Sequence, residues 1–193
     1  MKLIIATHNS GKAREIGEIL GDLPLQCLTL PEAGFSQDIA ETGDSYAANA
    51  LLKAAFTARA TGLLALGDDS GLEVEALGGR PGLHSARYAP TTPERWAKLL
   101  SELKDVPWEK RTACFRCVIA LAAPNRDPVT VEGVCRGLIT FEPKGDGGFG
   151  YDPLFFIPEY GCTMAELPEA VKNRISHRAR ALLKAKEVLR EWL

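Results

Sequence analysis

Over its first 70 residues the chain alternates strand-like segments with helix-like ones. In the first helix-like segment Ile16, Ile19 and Leu20 share one face, and the polar "THNSG" separates this segment from the apolar run before it. The predicted elements are a strand at 2–6, a helix at 11–20, a strand near 25–29, a helix at 45–60 stopped by Gly62, and the buried strand "LLALGDDSG", which ends in a turn. This order predicts an α/β fold in which helices cover a sheet.

The second half of the chain adds a different strand arrangement. A helix begins at Thr92-Pro93 after a long loop rich in glycine and proline, and a last helix begins near Ser176. Between these helices, two long strands joined at "PNRDP" predict antiparallel pairing. The sequence therefore predicts a mixed sheet in a single domain covering residues 1–193.

Composition excludes several classes of protein. The net charge is only -2 and the basic residues are dispersed, so the footprint of a nucleic-acid polymer is missing. No apolar run approaches the roughly 20 residues that a membrane span needs. The five cysteines are odd in number and no secretion signal is recognised, which predicts a location in the reducing cytoplasm.

Lys12 lies in the first turn of the first predicted helix, where the helix dipole and free amides favour an acidic residue. An anion bound between the lysine and the amides would reverse this preference, and a phosphate suits such a position. The spacing of "THNSGK" is not that of the P-loop. The alternative is an exposed lysine that extends away from the helix end.

The segment "GDDSG" places two adjacent carboxylates, Asp68 and Asp69, at the end of a buried strand. Their burial is costly unless a cation or hydrogen bonds hold them, and such oxygen ligands suit magnesium. In an extended backbone the two side chains point to opposite faces, so only one of them need serve a site. The alternative is a solvated Asp-Ser-Gly turn.

A second polar group precedes this strand in the sequence. Asn49 and Lys53 are four residues apart on one helix face, and Glu41 precedes that helix. These side chains either face a ligand or form a solvated surface.

Two later segments also carry candidate ligand contacts. "GDGGFGYDP" has the glycine spacing of a dinucleotide fingerprint but no following helix, so it predicts either a clamp for a planar base or a simple tight turn. In "VKNRISHRARA" four basic side chains surround the start of the last helix, which indicates an anion, a polar base edge or a surface basic cluster. The cysteines of "CFRC" lie in a predicted strand, face opposite sides and are expected in the core.

These segments together predict a binding site for a nucleoside triphosphate with magnesium. The sequence closely resembles the Ham1/RdgB-type inosine triphosphate pyrophosphatases, also called dITP/XTP pyrophosphatases. The matching stretches run from near the first residue to about 180 and are "ATHNSGK", "ETGDSYAANALLKA", "DDSGLEVEALGGRPGLHSARY", "GGFGYDPLF" and "KNRISHR". The resemblance implies an elongated, ITPase-like mixed β-sheet with flanking helices, two lobes around a central cleft, and a homodimer.

The resemblance also implies an activity and a set of site residues. The activity is magnesium-dependent hydrolysis of ITP, dITP and XTP to the nucleoside monophosphate and pyrophosphate, which removes deaminated purines from the nucleotide pool. Glu41 and Asp69 are implied to bind Mg²⁺, with Asp69 also the base that activates water, at a pKa that the metal keeps low. The implied substrate-binding residues are Thr7, His8, Asn9, Ser10, Gly11, Lys12, Lys53, Ser70, Phe149, Gly150, Tyr151, Asp152, Lys172, His177 and Arg178.

Two refinements and two alternatives accompany this interpretation. Arg87 is a further candidate for the phosphates, and donors from His177 or Arg178 would select purines with a 6-keto group. One alternative is a Maf-like pyrophosphatase for other modified nucleotides, although the opening pattern of that family is missing. The other is a nucleotide-binding regulator without turnover, which the presence of Glu41 and Asp69 disfavours.

Overall fold

The structure, a computed structural model, describes residues 1–35 and 39–193. Within these ranges the α-helices are α1 (Ser10–Leu20), α2 (Tyr46–Thr61), α3 (Thr92–Glu102), α4 (Glu169–Ile175) and α5 (His177–Trp192). The strands are β1 (Lys2–Ile5), β2 (Gln26–Thr29), β3 (Leu64–Val74), β4 (Thr112–Ala123), β5 (Arg126–Ile139), β6 (Phe155–Ile157) and β7 (Cys162–Thr163). The α/β prediction is confirmed, and α4 is an element that the sequence pattern did not indicate.

The described strands form one sheet in the order β2-β1-β3-β4-β5-β6-β7. Strand β1 runs parallel to both neighbours, with Ile4 opposite Leu28 on one side and Ala65 on the other. Strands β5, β6 and β7 pair antiparallel. Only Pro124 and Asn125 connect β4 to β5, and Asn125 adopts a left-handed backbone with φ 62°. The prediction of a mixed sheet is therefore confirmed.

The chain divides into two compact units, with boundaries within β3, β4 and β5 and between α4 and α5. The first unit contains residues 1–70, 117–133 and 177–193, and the second contains 71–116 and 134–176. Each unit has its own apolar core. The single domain and the central cleft stay predictions from the sequence.

Helices cover both faces of the sheet in the first unit. Helices α1 and α5 pack together, and Ile16, Leu20 and Leu182 are buried in one cluster with residues of β1 and β3. Helix α2 lies against β3 so closely that a Cβ on Gly67 would be 2.1 Å from the Ala50 carbonyl oxygen. The face of α2 that meets the sheet is rich in buried alanine, whose small side chains permit this approach. The helix thereby lies beside the segment of β3 that carries Asp68 and Asp69.

In the second unit, α3 packs Leu99 and Leu103 into a core that includes Phe115 and Phe155. Its start is fixed by a capping box, in which Thr91 accepts from the Glu94 amide and the Glu94 carboxylate accepts from Thr91. The helix predicted from Thr92 is thus confirmed.

One local prediction is wrong. The segment "GDDSG" is extended, and β3 continues through it to Val74, because flanking strands and helices satisfy a backbone that its glycine and aspartate content would otherwise turn. None of the described helices is long and apolar enough to span a membrane.

Candidate active site

Asp68 is the centre of a buried polar cluster in the first unit. Its side chain is fully buried, and it accepts from the Lys12 ammonium at 2.5 Å and from Arg178 Nε at 2.8 Å. Ser70 Oγ and Cys117 Sγ each donate to it at 3.3 Å. Burial alone would raise the pKa of Asp68, but the charges of Arg178 and Lys12 outweigh it and hold that pKa well below the usual value. Asp68 is therefore a permanent anion.

The guanidinium of Arg178 links Asp68 back to helix α1. Its Nη1 donates to Glu15 Oε2 at 2.6 Å, and its Nη2 donates to Ser70 Oγ at 3.1 Å. Arg178 and Glu15 are both almost fully buried. Because Lys12 and Glu15 are three apart on α1, this one helix face holds Asp68 both directly and through Arg178.

Asp69 lies on the opposite face of β3, against α2. Its Oδ2 accepts from Asn49 Nδ2 at 3.1 Å, and its Oδ1 is 3.4 Å from the Lys53 ammonium. Lys53 Nζ also donates to Glu41 Oε1 at 2.8 Å and to the Asp68 carbonyl oxygen at 2.6 Å. Burial raises the pKa of Asp69 although the charges of Lys53 and Lys12 oppose it. Two adjacent aspartates thus have pKa values shifted in opposite directions.

The cluster has an excess of negative charge. Its ion pairs join three cations to four carboxylates, which leaves one net negative charge among the seven groups Lys12, Glu15, Glu41, Lys53, Asp68, Asp69 and Arg178. A polyphosphate needs further positive charge to bind beside such a cluster.

Glu41 and Asp69 fit a magnesium ion as the source of that charge. Both are oxygen donors that share the Lys53 ammonium, and the Glu41 side chain is 32% exposed. Within residues 1–35 and 39–193, no group of three or more His, Cys, Asp or Glu side chains is arranged to hold a metal alone. Magnesium commonly binds through one or two carboxylates together with substrate phosphates and water, which agrees with a two-carboxylate site.

The turn between β1 and α1 leads into the helix that carries Lys12 and Glu15. Asn9 caps α1 by accepting from the Lys12 amide at 3.0 Å, and Thr7 Oγ1 accepts from the Asn9 amide at 3.1 Å. His8 and Ser10 are exposed, and Gly11 is half-buried. The first amides of a helix lack partners within the helix, so this end can receive an anion beside Lys12.

The base-side candidates form a separate group in the second unit. Asp152 Oδ2 accepts from the Phe149 amide at 3.0 Å and from the Lys172 ammonium at 2.6 Å. Lys172 Nζ lies 5.0 Å from the centroid of the Phe149 ring, and Lys172 and Asp152 are both buried. Gly150 and Tyr151 complete this loop, and Arg87 lies in a short 3₁₀ helix of the same unit.

The structure therefore brings most predicted residues into two groups. Arg178, predicted with the base-side residues, lies with Asp68 in the first unit, and His177 is the buried first residue of α5. Sequence reasoning missed the parts played by Asp68 and Glu15. The i, i+3 spacing of Lys12 and Glu15 was the signal available for Glu15.

Of the two cysteines of "CFRC", both expected in the core, Cys117 lies there and Cys114 does not. Cys117 is fully buried and donates to Asp68, whereas Cys114 is half-buried and donates to Glu73 at 3.3 Å. Burial and the Asp68 charge raise the pKa of Cys117 well above the usual value. Cys117 therefore acts as a neutral hydrogen-bond donor.

The chain is similar over nearly its whole length to known proteins. A protein-family model described as the Ham1 family matches residues 3–188. A dITP/XTP pyrophosphatase of Geobacter sulfurreducens is 51% identical over 191 residues, which cover 97% of this chain and 96% of that protein. A dITP/XTP pyrophosphatase of Desulforamulus reducens is 52% identical over 192 residues, covering 98% and 96%. The structure of a HAM1 protein from Coxiella burnetii superposes with a TM-score of 0.89 at 42% identity, covering 99% of both chains.

Proposed function

The chain belongs to the Ham1 family, and on that premise we propose that it hydrolyses the non-canonical purine nucleotides ITP, dITP and XTP. The products are the nucleoside monophosphate and pyrophosphate. The observation that carries the proposal is the buried pair Asp68 and Asp69, held by three cations beside the first turn of α1. The proposal is also supported by two relatives, 51% and 52% identical to this chain, which are named dITP/XTP pyrophosphatase.

Asp69 is the proposed general base. Water attacks the α-phosphorus, Asp69 takes a proton from it, and the bond from the α-phosphorus to the bridging oxygen breaks. Pyrophosphate leaves with that electron pair. The Asp69 carboxylate is oriented by hydrogen bonds from Asn49 and Lys53, which positions it to accept that proton.

Lys12 and Lys53 are the proposed electrostatic stabilisers. Their ammonium groups are fixed by Asp68, Asp69 and Glu41, so they need little reorganisation as charge develops on the phosphates. Magnesium, held by Glu41 and Asp69, would neutralise phosphate charge and lower the pKa of bound water.

The base-side assignments are proposals from the resemblance. Phe149 offers a ring for stacking, and Lys172 and Asp152 form a buried polar pair beside it. Three nitrogens of Arg178 donate to Asp68, Glu15 and Ser70, so we assign Arg178 to holding Asp68. His177 then remains the candidate donor to the 6-keto group.

The first test measures pyrophosphate release from ITP, XTP, GTP and ATP, each with and without magnesium. We expect magnesium-dependent release from ITP and XTP, with ATP nearly inert. Hydrolysis in ¹⁸O-labelled water should place the label in the monophosphate, whereas label in pyrophosphate would contradict attack at the α-phosphorus.

The variant Asp69→Asn tests the base. We expect turnover to be lost while nucleotide binding remains, and the matched control is Asp105→Asn, at a highly exposed carboxylate. Full activity of Asp69→Asn would remove Asp69 from this role. Binding without turnover by the unsubstituted protein would favour a nucleotide-binding regulator, and preference for modified pyrimidines would favour a Maf-like activity.

Location and assembly are part of the same proposal. All five cysteines are free, which supports the reducing cytoplasm. The homodimer implied by the resemblance is tested by sedimentation equilibrium at several protein concentrations, where a constant monomer mass would contradict it.

A further inference from the structure

The loop at 148–152, here called the aromatic loop, carries a glycine on each side of Phe149. Gly148 and Gly150 both adopt left-handed backbone, with φ 70° and 62°. Glycine adopts this region without steric cost, so these two positions add little rigidity to the backbone. The loop closes on itself through the Phe149 amide, which donates to Asp152 Oδ2 at 3.0 Å, and the Asp152 amide, which donates to the Phe149 carbonyl oxygen at 3.2 Å. Contacts from outside the loop add to these two bonds in placing the Phe149 ring.

Besides the Lys172–Asp152 pair, two hydrogen bonds join the loop to other parts of the second unit. Tyr151 is buried, and its hydroxyl donates to the Ser85 carbonyl oxygen at 2.9 Å. The indole Nε1 of Trp96 donates to the Gly150 carbonyl oxygen at 2.8 Å. The bond from Trp96 is to the backbone, so it fixes the peptide group between Gly150 and Tyr151, next to Phe149.

Trp96 is itself held rigidly. It lies on α3, whose start is fixed by the Thr91 capping box and whose Leu99, like Leu103 just after the helix, is fully buried. The Trp96 ring packs against the core of the second unit. An indole N–H donates and cannot accept, so its only polar use is this one bond to a carbonyl. Helix α3 thus transmits its fixed position to the aromatic loop through one side chain.

We propose that Trp96 is a positioning residue that orders the aromatic loop for recognition of the nucleotide base. This inference rests on the proposed hydrolysis of purine nucleotides and deepens it. Trp96 holds the Gly150 carbonyl, which keeps the Phe149 ring beside Lys172 and Asp152. Because it acts through the loop, its contribution falls on base-dependent binding and selectivity rather than on the chemical step.

The variant Trp96→Phe removes the N–H and keeps an aromatic ring. We expect KM for ITP to rise roughly fivefold, the effect of losing about one ordinary hydrogen bond. The preference for ITP over GTP should fall, while kcat stays the same. Inhibition by inorganic tripolyphosphate, which has no base, should keep its inhibition constant and also reports that the variant is folded.

The matched control is Trp108→Phe. Trp108 is half-buried in the same unit and packs against Phe141 and Phe156 rather than the aromatic loop. We expect this variant to keep the KM and the selectivity of the unsubstituted protein. An equal rise of KM in both variants would mean a general packing effect and would overturn the inference.

A second substitution decides the case in which Trp96→Phe misfolds. Replacing Trp96 by 3-benzothienylalanine substitutes sulfur for the N–H and keeps the shape of the indole. A raised KM supports the positioning role, and an unchanged KM and ITP/GTP ratio overturn it. If the unsubstituted protein hydrolyses no purine triphosphate, the proposed function fails, which is a separate outcome from an active protein that is insensitive to Trp96.

Discussion

Two adjacent aspartates have opposite electrostatic surroundings, and this difference supports the separate roles proposed for them. Arg178 and Lys12 hold the pKa of Asp68 low against burial, whereas burial raises the pKa of Asp69. Groups whose pKa values are separated by their environment commonly divide the work of a site. We therefore propose Asp68 as the fixed anion that orders the cations and Asp69 as the group that exchanges a proton.

The variant Asp68→Asn tests the structural part of this division. It leaves Lys12 and Arg178 buried without their common carboxylate, and breaking a buried ion pair in this way typically costs about 3 kcal/mol. We expect the free energy of unfolding in urea to fall by about that amount. Asp105→Asn serves as the control, and an equally small change in both variants would show that Asp68 does not hold the cluster.

Glu15 offers a milder test of the same network. Glu15→Gln keeps the size of the side chain but removes the charge that faces Arg178 at 2.6 Å. We expect slower turnover, because Arg178 then holds Asp68 less firmly, together with a lower melting temperature. Glu18→Gln is the control, since Glu18 is exposed and its pair with Arg14, at 3.8 Å, lies at the surface. Equal activity of the two variants would contradict the role of Glu15.

At the scale of single residues, the sequence predicted which residues belong to the site better than which of them are in contact. Glu41, Lys53 and Asp69 do lie together, and helical spacing and a carboxylate-rich strand end were enough to indicate it. Asp68 was set aside because alternation in a strand suggests one useful face, but α1 and α5 cover the second face with cations. That covering depends on tertiary packing, which no local pattern records.

Among the elements, the close packing of α2 against β3 positions Asp69 and its partners Asn49 and Lys53. Gly67 permits this approach, because a Cβ there would be 2.1 Å from Ala50 O and 2.9 Å from Ala54 N. Asn49 and Lys53 lie on the same helix and reach Asp69, two residues beyond Gly67 on the same strand face. The geometry of the site thus depends on glycine at position 67, where no side chain keeps α2 away from β3.

The variant Gly67→Ala should separate α2 from β3. We expect a loss of about 3 kcal/mol in the free energy of unfolding, since backbone atoms cannot move aside as a flexible side chain could. Activity should fall at temperatures where the variant is still folded, because Lys53 moves relative to Asp69. The control is Gly17→Ala within α1, where a Cβ meets nothing within 4 Å. That change should stabilise the protein by up to about 1 kcal/mol.

The helices and strands with strong periodicity were predictable, and the segments without it were not. Capping and apolar spacing predicted α3 correctly. The pattern of "GDDSG" indicated a turn because glycine and aspartate favour turns, yet β3 runs through it. Pairing with neighbouring strands overrides local preference there. Helix α4 has seven residues, too few for a periodic signal.

For the whole molecule, binding of substrate and of metal should depend on each other. The seven-group cluster carries one net negative charge, so a polyphosphate alone meets repulsion. In the proposed site, a divalent cation held by Glu41 and Asp69 would reverse the sign of this charge, and phosphate oxygens would supply further ligands. We therefore expect each ligand to increase the affinity for the other.

This dependence is measurable as thermal stability. The ligand is an ITP analogue with a methylene bridge between the α- and β-phosphates, which the proposed hydrolysis cannot cleave. At 100 times its dissociation constant, such a ligand stabilises the folded state by about 2.7 kcal/mol. We expect a clear rise in melting temperature with analogue and magnesium together, and a much smaller rise with either alone. The corresponding ATP analogue is the control for base selection. Equal shifts with and without magnesium would show that the carboxylates need no divalent cation to accept a triphosphate.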